Sequence, residues 1–177
     1  MNIIIKAILT LSLVASTTEL IASDTIETNT VYFLSTDNDS LATSKLFSIL
    51  KARGEDVIKS SIDDRTLIWT KKELGKTILS PRMSADSIDR LIVTKQYRVK
   101  YKYKHSDVMK EMIWQMNQNY NVGIYASTGG GDLQILSCFP FEDRLDVNFF
   151  ERFCRWLENS DLSTLVVVDQ NFMEYFE

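Results

Sequence analysis

The only histidine of the chain, His105, is followed directly by Ser106 and Asp107. These three residue types form the catalytic triad of serine hydrolases, in which the histidine takes the serine proton and the aspartate orients the histidine. A triad requires the three side chains to converge, whereas consecutive residues at a helix start diverge, and Ser and Asp are preferred helix caps. We therefore interpret this triplet as the start of a helix. A single histidine also excludes metal sites built from several histidines.

Two glycine-containing segments could in principle bind phosphate. Gly75-Lys76-Thr77 resembles the end of a phosphate-binding loop, but that loop needs a glycine five positions earlier, where Thr70 stands. The triple glycine at 129–131 lies between two predicted strands, so it lacks the helix N-terminus that binds anions. The acidic pairs Asp63-Asp64 and Glu142-Asp143 lie in predicted turns, with no spacing that indicates glycoside chemistry. We expect no enzyme activity, no cofactor and no metal.

A row of cations lies within the predicted strand Leu91–Lys104. Alternation in a strand places cations about 7 Å apart on one face, where they could contact phosphates or an acidic partner. The tyrosines would point to the opposite face, and the net charge of -4 gives no general attraction for nucleic acid. Lysines also protect sheet edges against mispairing, so a solvated face is the alternative. The predicted partner-binding residues are Arg98, Lys100 and Lys102, and the partner is an acidic polypeptide, not nucleic acid.

The chain contains two cysteines, Cys138 and Cys154. An even number of cysteines in an oxidising compartment permits a disulfide between them. Cys154 also shares helical spacing with Phe150, Phe153 and Leu157, which is typical of a small buried side chain in an apolar stripe. The sequence leaves both alternatives open, a disulfide and a buried free thiol.

Residues 1–23 have the pattern of a secretory signal peptide. Lys6 precedes the uncharged apolar run from Ala7 to Val14, and small residues suitable for cleavage follow at Ser16 and Ser23. The run is shorter than the ~20 residues of a membrane span, so we expect no stable membrane insertion after cleavage. A helix of the core is the alternative, but an acidic residue and several hydroxyl residues interrupt its apolar stripe. We predict a periplasmic or secreted protein.

Residues 24–177 are predicted to form one α+β domain. The length of 177 residues and the hydrophobic content of 45% suit one sizeable core. Few connections join parallel strands through a helix, so a mainly antiparallel sheet covered by helices is expected, in the order helix, about three strands, helix, two strands, helix. The predicted strands are Thr30–Leu34, Val57–Ile62, Thr66–Thr70, Thr77–Leu79, Leu91–Lys104, Val122–Ser127 and Leu133–Phe139. One predicted helix follows the capping residues of segment 35–40 and ends just before Gly54, and two others begin at Ser106 and Asp146. Leu162–Phe176 is also interpreted as helical.

The second half of the chain has an order of elements that is known from a bacterial family. Met116-Asn117 stands near a helix end, Gly131-Asp132 in a hairpin between two strands, and Val147–Leu157 in a helix after a short acidic loop. With the earlier helix Leu46–Gly54, this arrangement resembles the YbjN family of proposed sensory transduction regulators, whose fold is similar to type III secretion chaperones. The resemblance implies that fold and no established enzyme activity.

The sequence therefore predicts an exported, non-enzymatic module that binds a polypeptide partner or associates with itself. The alternative is a periplasmic binder of a small molecule or lipid, with an apolar pocket between sheet and helices, since Met and aromatic residues are abundant. An enzyme that depends on His105 is a third and weaker hypothesis.

Overall fold

The computed structural model describes residues 29–72, 75–84, 88–119 and 123–177. The predicted signal peptide lies outside these residues. Within them there are three α-helices, eight β-strands and two short 3-10 turns. The helices are α1 (Asp39–Ala52), α2 (Asp107–Asn119) and α3 (Val147–Val168), and the 3-10 turns are Tyr101–Tyr103 and Phe172–Glu174. The strands are β1 (Thr30–Tyr32), β2 (Asp56–Lys59), β3 (Leu67–Lys71), β4 (Gly75–Arg82), β5 (Asp89–Tyr97), β6 (Ile124–Ser127), β7 (Leu133–Phe141) and β8 (Arg144–Asp146).

Six strands form one sheet in the order β2-β3-β4-β5-β7-β6, and every neighbouring pair in it is antiparallel. β1 and β8 form a separate antiparallel pair. The predicted class, an α+β fold with a mainly antiparallel sheet covered by helices, is confirmed. The described residues contain eight strands where seven were predicted individually, because β8 was missed.

The helices cover one face of the six-stranded sheet and bury two apolar clusters there. The larger cluster joins α1 and the first half of α3 to β2–β5 and the end of β7, and the smaller one joins α2 and the second half of α3 to β6 and the start of β7. The fully buried side chains of largest volume in them include Leu46, Leu50, Trp69, Leu91, Ile135 and Phe150. Helix α3 contributes to both clusters and so connects the two halves of the domain.

The predicted helix ends are confirmed where capping residues mark them. Asn38 accepts a hydrogen bond from the Leu41 N–H at 2.9 Å at the start of α1, and Gly54 follows its end with a φ of 77°. Asp146 accepts from the Phe149 N–H at 2.8 Å at the start of α3. Helix α3 continues to Val168, so the helical interpretation of the Val-rich segment is correct up to that residue.

The strand predicted at Leu91–Lys104 is wrong in its second half. β5 ends at Tyr97, opposite the start of β7. Beyond this point the Asp132 side chain accepts the Val99 N–H at 3.0 Å, and Tyr101, which is 90% exposed, begins a 3-10 turn. A strand needs a neighbouring strand for its backbone groups, and β7 provides none here. The alternation of cations and tyrosines therefore does not mark two faces of one strand.

β4 is longer than predicted and includes Pro81. It runs from Gly75 to Arg82, and its pairing with β3 ends at Leu79 while its pairing with β5 continues to Arg82. Pro81 therefore has a neighbouring strand on one side only, which is the kind of position at which a sheet accommodates proline. The predicted strand Thr77–Leu79 ended before this proline.

Candidate interaction surface

Two of the three predicted partner-binding cations lie beside residues 174–177, and the three do not share one strand face. Arg98 Nη1 lies 3.4 Å from Glu177 Oε2, and Lys100 Nζ donates to the Glu174 carbonyl at 3.0 Å. Lys102 Nζ lies 4.5 Å from the centroid of the Tyr103 ring. The structure thus brings Arg98 and Lys100 together at residues 174–177, whereas the Lys102 ammonium group lies over the Tyr103 ring.

The two cysteines are free thiols on opposite faces of the sheet. Cys138 is exposed on the face away from the helices, opposite Ile92 in the pairing of β5 with β7, whereas Cys154 is buried in α3 on the covered face. Burial raises the pKa of the Cys154 thiol to about 12. A thiol with so high a pKa is protonated at neutral pH and is therefore a poor nucleophile.

Two of the residues considered for catalysis lie at the start of α2, where they cap the helix or form the turn before it. Ser106 Oγ accepts the Met109 N–H at 3.3 Å, as expected of a helix cap. His105 is exposed with a φ of 58° in the turn before α2. Among the described residues, no group of three or more His, Cys, Asp or Glu side chains is arranged to hold a metal ion.

The face of the six-stranded sheet opposite the helices carries a continuous row of aliphatic side chains. Cross-strand pairing aligns one residue of each strand, and five of these six residues are isoleucine or leucine. With strands about 4.8 Å apart, the row spans about 24 Å. From β2 to β6, the row consists of Ile58, Ile68, Ile78, Thr94, Leu136 and Ile124. We call these six residues the aliphatic row.

The aliphatic row is open to solvent in the part of the chain that the structure describes. Its two ends are the most exposed, with Ile58 at 54% and Ile124 at 67%, and the four residues between them are partly exposed. Ile92 and Cys138 extend the apolar surface by a second row on one side. Solvated faces of antiparallel sheets normally carry polar residues. A contiguous exposed apolar patch instead marks a site of interaction.

Polar residues border the aliphatic row on both sides. Lys76, Gln96 and Gln134 lie two residues away along their strands on one side, and Arg82 and Arg90 lie four residues away on the other. No charged residue interrupts the row itself. An apolar centre with a polar rim is the usual composition of a protein–protein interface.

The sequence contained a signal for this surface that the strand analysis missed. Consecutive apolar residues occur in Leu67-Ile68-Trp69, Ile78-Leu79, Leu91-Ile92-Val93 and Ile135-Leu136. Strands of this kind are typically covered on both faces, whereas strands with one solvated face alternate. Counting both faces of each strand, and not only the core face, would have identified the row.

A cluster of polar side chains is buried between α3 and the sheet, where the two apolar clusters meet. Lys95 Nζ lies 3.4 Å from Glu158 Oε1, and the Tyr125 hydroxyl donates to Asp161 Oδ1 at 3.4 Å. Asp161 Oδ2 and the Tyr97 hydroxyl have no hydrogen-bond partner among the described residues. Burial raises the pKa of Asp161 to about 7 and raises that of Tyr97 as well. Lys95 and Asp161 are buried in this cluster, and its two unpaired oxygens make it costly for the stability of the fold.

Two surface clefts are large enough for small ligands. One has a volume of about 540 Å³ and is bordered by the carboxylates Asp37, Asp39, Asp64 and Asp89. The other has a volume of about 570 Å³ and lies between β1 and α1, with Val31, Leu41 and Ile49 in its wall. The small-molecule hypothesis placed an apolar pocket between sheet and helices, and this second cleft lies between the two-stranded sheet and α1.

Comparisons with protein-family models, with curated proteins and with solved structures found no match to this chain. The resemblance to the YbjN family therefore stays a prediction. None of the described helices is both long and apolar enough to cross a membrane.

Proposed function

We propose that this protein is a non-enzymatic interaction module whose open sheet face binds a second copy of the chain. The observation that carries the proposal is the aliphatic row, which crosses all six strands without a charged side chain. The predicted signal peptide and the resemblance to YbjN proteins support the further proposal that this assembly forms in the periplasm or after secretion.

A second copy is the occupant that the geometry favours. Two sheets pack face to face at a distance of about 10 Å, with their inner side chains interdigitated. A two-fold axis between the sheets, parallel to the aliphatic row, places Ile68 and Ile78 of one copy over the same row of the other. Such a contact is apolar on both sides and buries no charge of the row, so it avoids the desolvation cost that a charged centre would impose.

The size of the open face agrees with a dimer of ordinary extent. Strands of four to nine residues, at about 3.3 Å per residue and about 4.8 Å between strands, give a face of roughly 600 Å². Stable interfaces bury about 600–1,000 Å² on each partner. The sheet face alone reaches the lower end of that range.

Light scattering on the chain expressed with its native N-terminus tests the proposal. The wild-type protein is expected to be a dimer, and Ile78→Lys is expected to be a monomer because it places a charge at the centre of the contact. Ile62→Lys is the matched control, since Ile62 is 92% exposed in the loop between β2 and β3 and lies outside the row. The control should remain a dimer.

Far-UV circular dichroism of each variant separates loss of the contact from loss of the fold. If Ile78→Lys fails to fold, Ile68→Lys gives the same test from the neighbouring strand. A wild-type protein that is monomeric up to its solubility limit would contradict the proposal, and so would a folded Ile78→Lys variant that remains a dimer. Intact mass of the recovered protein tests export, because cleavage after residue 16 or 23 removes the corresponding mass.

A further inference from the structure

The segment 98–100, which follows β5, pairs along its outer edge with the residues after α3 through a single β-bridge at Phe176. We call residues 174–177 the added strand, although Glu174 ends the second 3-10 turn. The Lys100 N–H donates to the Tyr175 carbonyl at 2.8 Å, and the Glu177 N–H donates to the Arg98 carbonyl at 3.0 Å. Val99 and Phe176 face each other in this antiparallel bridge. The opposite edge of the segment is held by Asp132, which accepts the Val99 N–H. We call segment 98–100 the edge segment. It is paired in the manner of a domain that binds an extended peptide as an extra strand.

Aromatic side chains fix the position of the added strand. The ring centroid of Phe176 lies 6.1 Å from that of Tyr97 and 6.2 Å from that of Phe172, in edge-to-face arrangements. Tyr175 contacts Tyr103 in the same way at 4.8 Å. The edge segment therefore offers backbone groups, and the neighbouring rings of Tyr97 and Tyr103 contact two consecutive aromatic residues.

Charge adds a second element of recognition. The added strand has the sequence Glu174-Tyr175-Phe176-Glu177, in which acidic residues flank the aromatic pair. Arg98 pairs with Glu177, and Lys100 Nζ reaches the Glu174 carbonyl. Lys102 is exposed and forms no ion pair with a residue that the structure describes. The edge segment thus presents cations to a strand that carries acids.

The Tyr175 hydroxyl donates to Asp169 within the same segment, but the contacts between the added strand and the edge segment are weak individually. Its pairing is a single bridge, and the Arg98–Glu177 ion pair is open to water, with side chains 74% and 48% exposed. Exposed ion pairs contribute little to stability. Segments with few buried contacts open locally far more often than the whole domain unfolds. Opening would expose the edge of the segment together with Val99, which is fully buried when the strand is in place.

We propose that the edge segment is a peptide-binding site for a partner polypeptide in which acidic residues flank an aromatic pair, and that residues 174–177 occupy this site in cis. The partner's extended segment replaces the added strand, forms the same two backbone hydrogen bonds and places its aromatic side chains against Tyr97 and Tyr103. Arg98 contacts one of its acids, Lys100 donates to a backbone carbonyl of the peptide as it does to that of Glu174, and Lys102 is exposed beside the site for a further acid. This site is separate from the aliphatic row and does not depend on the dimer.

Fluorescence anisotropy with a labelled synthetic peptide tests the site in the full chain. The probe is the octapeptide Gln-Asn-Phe-Met-Glu-Tyr-Phe-Glu, which copies residues 170–177. Phe176→Ala in the protein weakens the strand that occupies the site in cis, so the peptide should bind this variant about tenfold more tightly than it binds the wild-type chain. Met173→Ala is the matched control, because Met173 is 67% exposed in the same segment, and it should bind like wild type.

A peptide with lysine in place of both glutamates tests the charge requirement. It should not bind the Phe176→Ala protein, and binding as tight as that of the probe would contradict the proposal. Absence of binding by the probe itself would also contradict it. If Phe176→Ala does not fold, hydrogen exchange of the wild-type chain gives the test. Excess probe should then speed the exchange of the Glu177 amide hydrogen, while the Lys100 amide hydrogen stays protected. An unchanged exchange rate of the Glu177 amide would overturn the proposal.

Two further variants separate this site from other forms of association. Ile78→Lys, which should dissolve the dimer at the aliphatic row, should leave binding of the peptide unchanged. A wild-type dimer that Phe176→Ala dissolves would mean that two copies exchange their added strands, and would overturn the assignment of the site to a partner peptide.

Discussion

The carboxyl group of Asp161 gives the stability of the protein a dependence on pH. It is fully buried, and burial raises its pKa to about 7, against 3.8 for an ordinary aspartate. Tyr125 donates to it from β6, and Lys95 and Glu158 are the nearest charged groups. Between pH values of about 4 and 7, the unfolded chain has released this proton while the folded chain retains it, so the free energy of unfolding falls as the pH rises.

Asp161→Asn should therefore stabilise the protein at neutral pH, because the amide stays uncharged and can still accept from Tyr125. A shift of about three pKa units corresponds to a gain on the order of 4 kcal/mol at and above pH 7, and to almost none at pH 4. Urea unfolding at several pH values measures this gain. Asp143→Asn, at an exposed position, should change neither the stability nor its pH dependence. Equal effects of Asp161→Asn at pH 4 and pH 8 would contradict the assignment.

At the scale of elements, the hairpin between β6 and β7 depends on one of its three consecutive glycines. Gly131 has a φ of 81°, and a Cβ atom there would lie 2.8 Å from the Lys104 side chain. Gly131→Ala should therefore destabilise the protein by about 1–3 kcal/mol, from the strained φ and the close contact. Gly129→Ala should have little effect, since its Cβ would meet nothing within 4 Å. Thermal denaturation compares the two, and equal melting temperatures would contradict the structural account.

The elements that the sequence predicted well are those whose ends are marked locally. Asn38 and Asp146 cap α1 and α3, and these two helix starts could be located from residue types alone. The end of β5 could not be located from residue types, because it depends on where β7 begins and on Asp132, a residue about thirty positions away. β8 was missed for the same reason, since its three residues form a strand only through their pairing with β1.

At the scale of the whole molecule, the candidate surfaces depend on contacts between distant parts of the chain. The alternation of Arg98, Lys100 and Lys102 indicated a charged surface, but no local pattern indicated that residues 174–177 lie against the first two. The aliphatic row is formed by residues from six strands, and no single strand shows that they align. Composition and periodicity therefore predicted the class of the fold, while pairing between strands decided the surfaces.

Unfolding of the whole protein should depend on its concentration if the dimer exists. A dimer that unfolds to separate chains is stabilised by mass action, so the melting temperature of the wild-type protein should rise with protein concentration. Ile78→Lys should remove this dependence, and at low concentration it should melt close to the wild-type value, since Ile78 is partly exposed in the single chain. Ile62→Lys should retain the dependence. Differential scanning calorimetry over a hundredfold range of concentration measures it, and a wild-type melting temperature that does not change would show that the aliphatic row is not covered by a second copy.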